Sequence, residues 1–382
     1  MNPCLSAPAG LHWLWVAAIL LAAAPLAPAA SDYDSLPGRK ALAVAPGGSN
    51  AMGVAQGQRN DLLASLTALQ LCESKRQPQD AACEVRRLND ETITSGAEIR
   101  ARVPETNHPL HLWRLRGATA TVFLAGSVHV LKESLYPLPA PYEQAFAAAD
   151  KLVVEVNLSA QDPATLQQKT LRYAALPAGQ RIDSVVPADL RSRLTDSLQR
   201  YGVPPAEVAT LNPAFLMNQL VLLRLSALGY QGEWGVEQHF LRKAADRPVL
   251  ELETVDEQLS LLFDQPIDLQ LQLLRDTLDQ EDHIEPLLAG MVTGWLAGDD
   301  ALFMEMFEAQ SGESPLAQQF TEHLLDERNR AMAGKITAFL GTGQGTYFVL
   351  VGAAHLLGEN GIVALLRADG MQPERLHANS TP

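Results

Sequence analysis

The chain reads as an α/β protein with a mixed, mainly parallel central sheet flanked by many helices and a small helical N-terminal attachment. Three observations predict this: two short apolar runs bounded by glycine near opposite ends of the main domain, a strand, helix and strand in succession after the first, and long stretches of helical periodicity between them. The two runs are versions of one another. Residues 121–131 read TVFLAGSVHVL and residues 346–357 read TYFVLVGAAHLL, so each carries Thr-x-Phe, a string of β-formers and Gly-x-x-His. Runs this short suit strands buried on both faces. His129 and His355 then fall just past the carboxyl ends of their strands, where open sheets with helical crossovers place ligands and catalytic groups. Gly126 and Gly352 permit a sharp turn or a close backbone approach, and the two imidazoles are expected to share a site.

The remaining elements follow in chain order. Residues 1–30 contain no Lys, Arg, Asp or Glu, become almost wholly apolar after residue 10, and end near the small-residue pattern Ala27-Pro28-Ala29. This predicts a signal peptide and an exported, periplasmic or secreted protein, with an uncleaved anchor as the competing reading. Residues 31–57, rich in Ala, Gly, Ser and Pro, read as a flexible linker. Over residues 58–105 the spacing predicts a small helical segment, with one helix over 61–71 and a second over about 79–88. Removal of the leader takes Cys4 with it. Cys72 and Cys83 are then an even pair in an exported chain, which fits a disulfide between the helices; two buried free thiols are the alternative.

The main domain, residues 106–382, opens with a predicted hairpin of strands 111–115 and 119–125. A proline-punctuated loop leads to a helix at 142–150 and a strand at 151–156, KLVVEV, which makes a right-handed crossover by default. Helical patterns run from 162 to 245, and the apolar helix opening at Pro213 is too short and interrupted to span a membrane. A strand follows at 248–252, and Thr254 with Glu257 fits a capping box. Helices then fill residues 266–340. A strand at 347–351, a helix at 358–367 and a closing strand at 372–376 complete the chain.

The formal net charge of −15 argues against a protein that wraps nucleic acid. No phosphate loop, His-Glu-x-x-His helix or Gly-x-Ser-x-Gly elbow is present. What the sequence offers is two placed histidines, and imidazole pairs with a carboxylate leave open positions on zinc-like ions. Glu155 interrupts an apolar strand, where a charge is expensive unless paired or bound to a cation; a strand-end glutamate facing solvent or a loop amide is the plainer alternative. Glu237 opens a helix and Glu253 adjoins the capping box, so local structure explains much of both. His239 has charged helical neighbours and reads as a surface residue. Arg328, within Asp326-Glu327-Arg328-Asn329-Arg330, could clamp a carboxylate or an oxyanion, although a run of helical charges normally marks a solvated face. Ser127, two residues before His129, is weak evidence for a nucleophile.

The ordered set FLAGSVHVLKESLYPLP, LVVEVNL, GVEQHFLRKA, LELETVDEQLSLL, ERNRAM and FVLVGAAHLLGENGIVALL resembles the TraB/PrgY/GumN-like family, related to the Tiki metalloproteases, from about residue 111 to 376. The resemblance implies a divalent-metal-dependent hydrolase, a peptidase acting on peptide or protein substrates with Mn, Co or Zn. Carried over residue by residue, it makes His129 and His355 metal ligands, with Glu155 a third ligand or the base. It raises Arg328 above a solvated face and puts Glu237 where relatives are acidic. Two competing functions stand beside it. One is a non-catalytic protein that holds a tetrapyrrole or another ligand in the same cleft. The other is a metal-free hydrolase that uses a histidine base.

Overall fold

The computed structural model describes residues 30–47, 49–58, 61–73, 75–77, 79–81, 83–93, 107–280, 284–308 and 315–382. The expected signal peptide lies outside the described residues but for its last one.

Four strands form the first sheet: β1 (Arg39–Val44), β2 (Met52–Gln58), β3 (Glu84–Leu88) and β4 (Glu91–Thr92). They run antiparallel in the order β2-β1-β3-β4, and the helix Asp61–Glu73 packs on β1 and β2. This corrects the linker expected over 31–57 and the helix expected over 79–88; the N-terminal unit is itself α/β. The small residues that looked like a linker are the packing surface. Ala41, Ala43, Ala45, Ala51 and Ala55 are buried, and a Cβ added at Gly53 would stand 2.1 Å from the carbonyl oxygen of Ala68. With no side chain between them, helix and strand backbones meet directly. In β3, burial of Val85 and Leu88 together with pairing to β1 overrides the helix propensity of Glu84, Arg86 and Arg87. A Cys72–Cys83 disulfide joins the end of the helix to the start of β3.

The second sheet has six strands: β5 (Pro109–Arg116), β6 (Ala120–Ser127), β7 (Lys151–Val154), β8 (Val249–Glu251), β9 (Gly345–Gly352) and β10 (Glu374–His377). Their order is β10-β5-β6-β9-β7-β8. The pairs β6/β9, β9/β7 and β7/β8 are parallel, while β5/β6 and β10/β5 are antiparallel. The chain thus leaves β6, crosses through the helix Ala140–Ala148 to β7, passes β8, and returns through a long helical excursion to insert β9 in the middle. Leu124, Leu152, Val153, Phe348, Val349, Leu350 and Val351 are fully buried, as strands covered on both faces must be.

The covering helices begin where local chemistry allows. Asn212 accepts from the amide of Phe215 ahead of Pro213–Ala227, and Thr254 and Glu257 form the expected reciprocal box at Val255–Phe263. A separate all-helical core gathers Leu190, Leu194, Leu216, Leu220, Leu273 and Leu274. Among the described residues no helix is long and apolar enough to cross a membrane.

Candidate active site at the carboxyl ends of four strands

Register places the site. Val154 of β7 pairs with Leu350 of β9, and Ser127 of β6 pairs with Gly352, so β6 and β9 end level and β7 stops two positions short of them. His129, His355 and Glu155 follow those ends directly, and Glu253 follows β8 on the outer flank. Glu155 is not inside its strand as expected: the ladder stops at Val154, and the carboxylate turns towards the neighbouring strand end.

The gap between the three side chains is kept open by Gly352. A Cβ added there would stand 3.2 Å from His129 Nε2, 3.5 Å from Glu155 Oε1 and 3.5 Å from His355 Cδ2, so one small volume is bordered by all three. Its backbone N–H donates to Glu155 Oε1 at 2.7 Å. The first motif glycine has a related purpose away from the gap: a Cβ on Gly126 would press on His111 and the backbone at Ala353.

Each imidazole is tied back through Nδ1. His129 Nδ1 donates to Glu237 Oε1 at 2.8 Å, and Ser127 Oγ donates to the same oxygen. Glu237 reaches this position because Gly235 lets the helix Val236–Lys243 begin against the backbone of residue 129; a Cβ there would stand 2.2 Å from the carbonyl oxygen of His129. His355 Nδ1 lies 2.6 Å from Asn329 Oδ1, and because Asn329 Nδ2 donates to the Asn360 carbonyl, Oδ1 must be the acceptor. Nε2 of His355 therefore carries the lone pair.

Electrostatics separates the two rings. Burial pushes His355 down to about 3, so it is neutral. Burial also opposes charge on His129, but the Glu237 carboxylate outweighs it and holds the ring up to about 9. For Glu155, burial favours the neutral acid, and His355, Arg328 and His129 all oppose it. Because His355 is uncharged near neutrality, Arg328 together with His129 keeps Glu155 ionised.

Arg328 has a different task from the expected oxyanion clamp. Its Nη2 donates to Glu155 Oε2 at 2.7 Å and to Glu253 Oε2 at 2.7 Å, its Nε donates to Glu253 Oε1 at 2.7 Å, and its Nη1 donates to the Leu324 carbonyl. Nearly all of its donors are spent on the protein. Gln258 bridges the same two carboxylates, at 2.6 Å to Glu253 and 3.3 Å to Glu155. Arg328 is turned inward after the π-helical turn His323–Glu327, which shifts the face that follows it. All six expected residues (His129, His355, Glu155, Arg328, Glu237 and Glu253) thus gather around one gap, with Glu155, Arg328 and Glu253 in one hydrogen-bonded group and His129 with Glu237 in another. His239 stays outside it: it is largely buried, not a surface residue, bonded to Glu143 at 2.6 Å and packed on Tyr136.

Sequence reasoning missed Asn329, Gln258 and the orienting role of Ser127. For Gln258 a signal existed, since it is a polar residue at an otherwise inward helical position, but it has no meaning until its partner is known; Asn329 stands beside Arg328 in a run of polar residues and carried none.

The donor types suit a divalent cation: two imidazole nitrogens and one carboxylate oxygen, each with its other polar atom held by a neighbour. The spacing is not closed around an ion. His355 Nε2 and Glu155 Oε1 are 3.8 Å apart, and among the described residues no group of three or more His, Cys, Asp or Glu side chains stands at metal-holding spacing.

A sheet of this order places histidine and glutamate side chains beyond the carboxyl ends of adjacent parallel strands, where open α/β sheets bind their ligands. The sequence pattern of the TraB/PrgY/gumN family matches residues 111–375, and the chain belongs to that family. Uncharacterized protein YbaP of Escherichia coli (strain K12) is 29% identical over 250 residues, covering 64% of this chain and 87% of that one. Metalloprotease TIKI1 of Danio rerio is 24% identical over 330 residues, covering 73% of this chain and 65% of that one. Metalloprotease TIKI2 of Xenopus tropicalis is 25% identical over 335 residues, with 73% and 62% covered. The chain therefore spans less than two thirds of either TIKI protein. No solved structure matches it.

Proposed function

We propose that this protein is a divalent-metal-dependent peptidase, exported from the cytoplasm, whose cation is held by His129 Nε2, His355 Nε2 and Glu155 Oε1. One observation carries the reading: the three side chains border a single gap above Gly352, at the ends of three adjacent strands. The distant likeness to two metalloproteases supports the reaction class, and the disulfide supports an oxidising compartment.

A cation bound there would polarise the scissile carbonyl and lower the pKa of an attached water. The protein's own residues prepare the place. Glu237 and Asn329 fix both rings with Nε2 towards the gap. Arg328, Gln258 and the Gly352 amide hold Glu155 ionised and aimed, which suits a ligand better than a base, since a base works best with a pKa near the working pH. Glu253 balances the second half of the guanidinium. Solvent reaches the site at His129, whose side chain is 29% exposed, while that of His355 is 6% exposed.

Metal-free hydrolysis with a histidine base is separated from this reading by the chelator test below, and one observation weighs against a tetrapyrrole. The cavity beside the site is about 120 Å³, whereas pockets for drug-sized ligands, and so for a tetrapyrrole, occupy several hundred Å³.

The test is peptide hydrolysis by protein stripped with chelator and then resupplied with Mn, Co or Zn, beside His129→Ala and His355→Ala, with calorimetric titration of each cation into the stripped protein. Activity that requires the cation and both histidines, with matching heats of binding, is expected. Hydrolysis indifferent to chelator and to both substitutions would remove the proposal.

A further inference from the structure

The gap above Gly352 opens on two unequal spaces. On one flank, His129, Glu155, Glu237 and Leu241 border about 20 Å³, room for about one water. On the other lies the cavity of about 120 Å³, and its walls away from the reacting groups are apolar. They come from four directions: Leu261 and Leu262 on the helix Val255–Phe263, Leu288 and Met291 on Ile284–Ala297, Phe303 on Asp300–Glu308, and Leu324 on the π-helical turn. The floor is Gly352, Ala353 and Ala354 beside His355.

A cavity of this size and lining matches a single large apolar group: an engineered apolar cavity of about 150 Å³ stays dry and takes up benzene. Its wall residues belong to three different packing clusters, Leu288 and Phe303 to that of the six-stranded sheet, Leu262 to the cluster around Phe263 and Leu324 to the all-helical core, so the space lies where these cores meet and not inside any one of them. It also begins at the atoms assigned to the reaction, since His129, Glu155 and His355 are part of its wall.

We infer that this cavity is a specificity subsite, which seats one large apolar side chain (leucine, methionine or phenylalanine) of a peptide substrate beside the bond to be cut. The inference rests on the peptidase reading for the bond but not for the binding. Among the described residues the opposite flank offers only the recess of about 20 Å³, so the bulky residue enters on the side of Leu288 and Phe303. Burying such a side chain is worth a factor of roughly ten to a hundred over a polar one, and a carboxylate there would be left without a partner.

The test uses blocked pentapeptides, Ac-Gly-Gly-Xaa-Gly-Gly-NH2 with Xaa as Leu, Phe, Ala or Asp, on the full chain and on two variants that fill the cavity from different walls, Ala354→Leu and Leu261→Trp. Binding is read by NMR titration and cleavage by mass spectrometry, with circular dichroism as the folding control. The expected result is a preference of about tenfold or more for Leu and Phe over Asp in the unaltered protein, and a smaller ratio of Leu or Phe to Ala in whichever variant is folded. Metal-dependent cleavage with no preference among the four peptides would overturn the subsite and leave the peptidase reading standing. An apolar preference in binding without cleavage under any metal supports the subsite and sinks the peptidase reading. An apolar preference unchanged in both folded variants places the contact elsewhere and overturns the inference.

Discussion

Replacing Arg328 by methionine keeps the length and much of the volume of the side chain and removes its charge. The Arg328, Glu155 and Glu253 side chains are only 13%, 8% and 11% exposed, so water cannot take over the lost bonds. Two carboxylates that now share one guanidinium would face each other across Gln258 alone. Removing one partner of a buried ion pair costs about 3–5 kcal/mol because the other charge remains buried and uncompensated. Against a total stability of about 5–15 kcal/mol this is a large fraction. Urea unfolding at neutral pH, followed by circular dichroism, should show a loss of unfolding free energy of that size, with Arg328→Lys recovering only part because a single ammonium cannot fork to both acids. The double substitution Arg328→Met with Glu253→Gln should be milder than Arg328→Met alone, since it removes one of the stranded charges. A loss below about 1 kcal/mol for Arg328→Met, the range of exposed surface pairs, would refute the network as drawn.

Three other perturbations address separate parts of the molecule. Gly352→Ala puts a methyl group into the gap, 3.2 Å from His129 Nε2, and should weaken calorimetric cation binding by at least about tenfold while leaving the circular dichroism spectrum unchanged; undiminished binding would mean the cation sits elsewhere. Asn329→Ala frees Nδ1 of His355 and should lower cation affinity or activity by roughly 10- to 100-fold, with Asn329→Asp retaining more of it because it keeps an acceptor; equal behaviour of the two variants would deny the orienting role. Asp300 tests the acid limb of stability. Burial would raise its pKa, but hydrogen bonds from His111 and Arg375 bring it down to about 2. A depressed carboxyl contributes stability in full above its unfolded value of 3.8 and loses it as the pH falls towards 2. Asp300→Asn should therefore flatten the decline of thermal stability between about pH 4 and 2, and an unchanged acid limb would contradict the assignment.

The sheet and the two histidines were legible because hydrophobic burial writes itself into local order. Short apolar runs of β-formers closed by glycine suit buried strands better than helices, and a strand there puts the histidine after each run near its end. The N-terminal unit was not legible for the opposite reason. Its first two strands carry alanine and glycine, whose value lies in letting the helix Asp61–Glu73 approach closely, and small residues at a close contact look the same in sequence as small residues in a linker. Arg328 was masked by its neighbours: in a run of five polar residues nothing local says which one points inward. The π-helical turn before it decides that, by shifting the face of the helix.

Sequence alone was therefore enough for the kind of sheet, for the strand ends that carry His129 and His355, and for the suspicion that Glu155 is bound to something. Only the tertiary structure decided that β9 inserts between β6 and β7 and so brings those three residues together. It alone joined Arg328 to Glu155 and Glu253, and opened an apolar cavity against the site. Periodicity records which side of an element is buried, because burial acts on each residue separately. It does not record which buried side faces which, because that depends on strand order and on contacts between residues some two hundred positions apart in the chain.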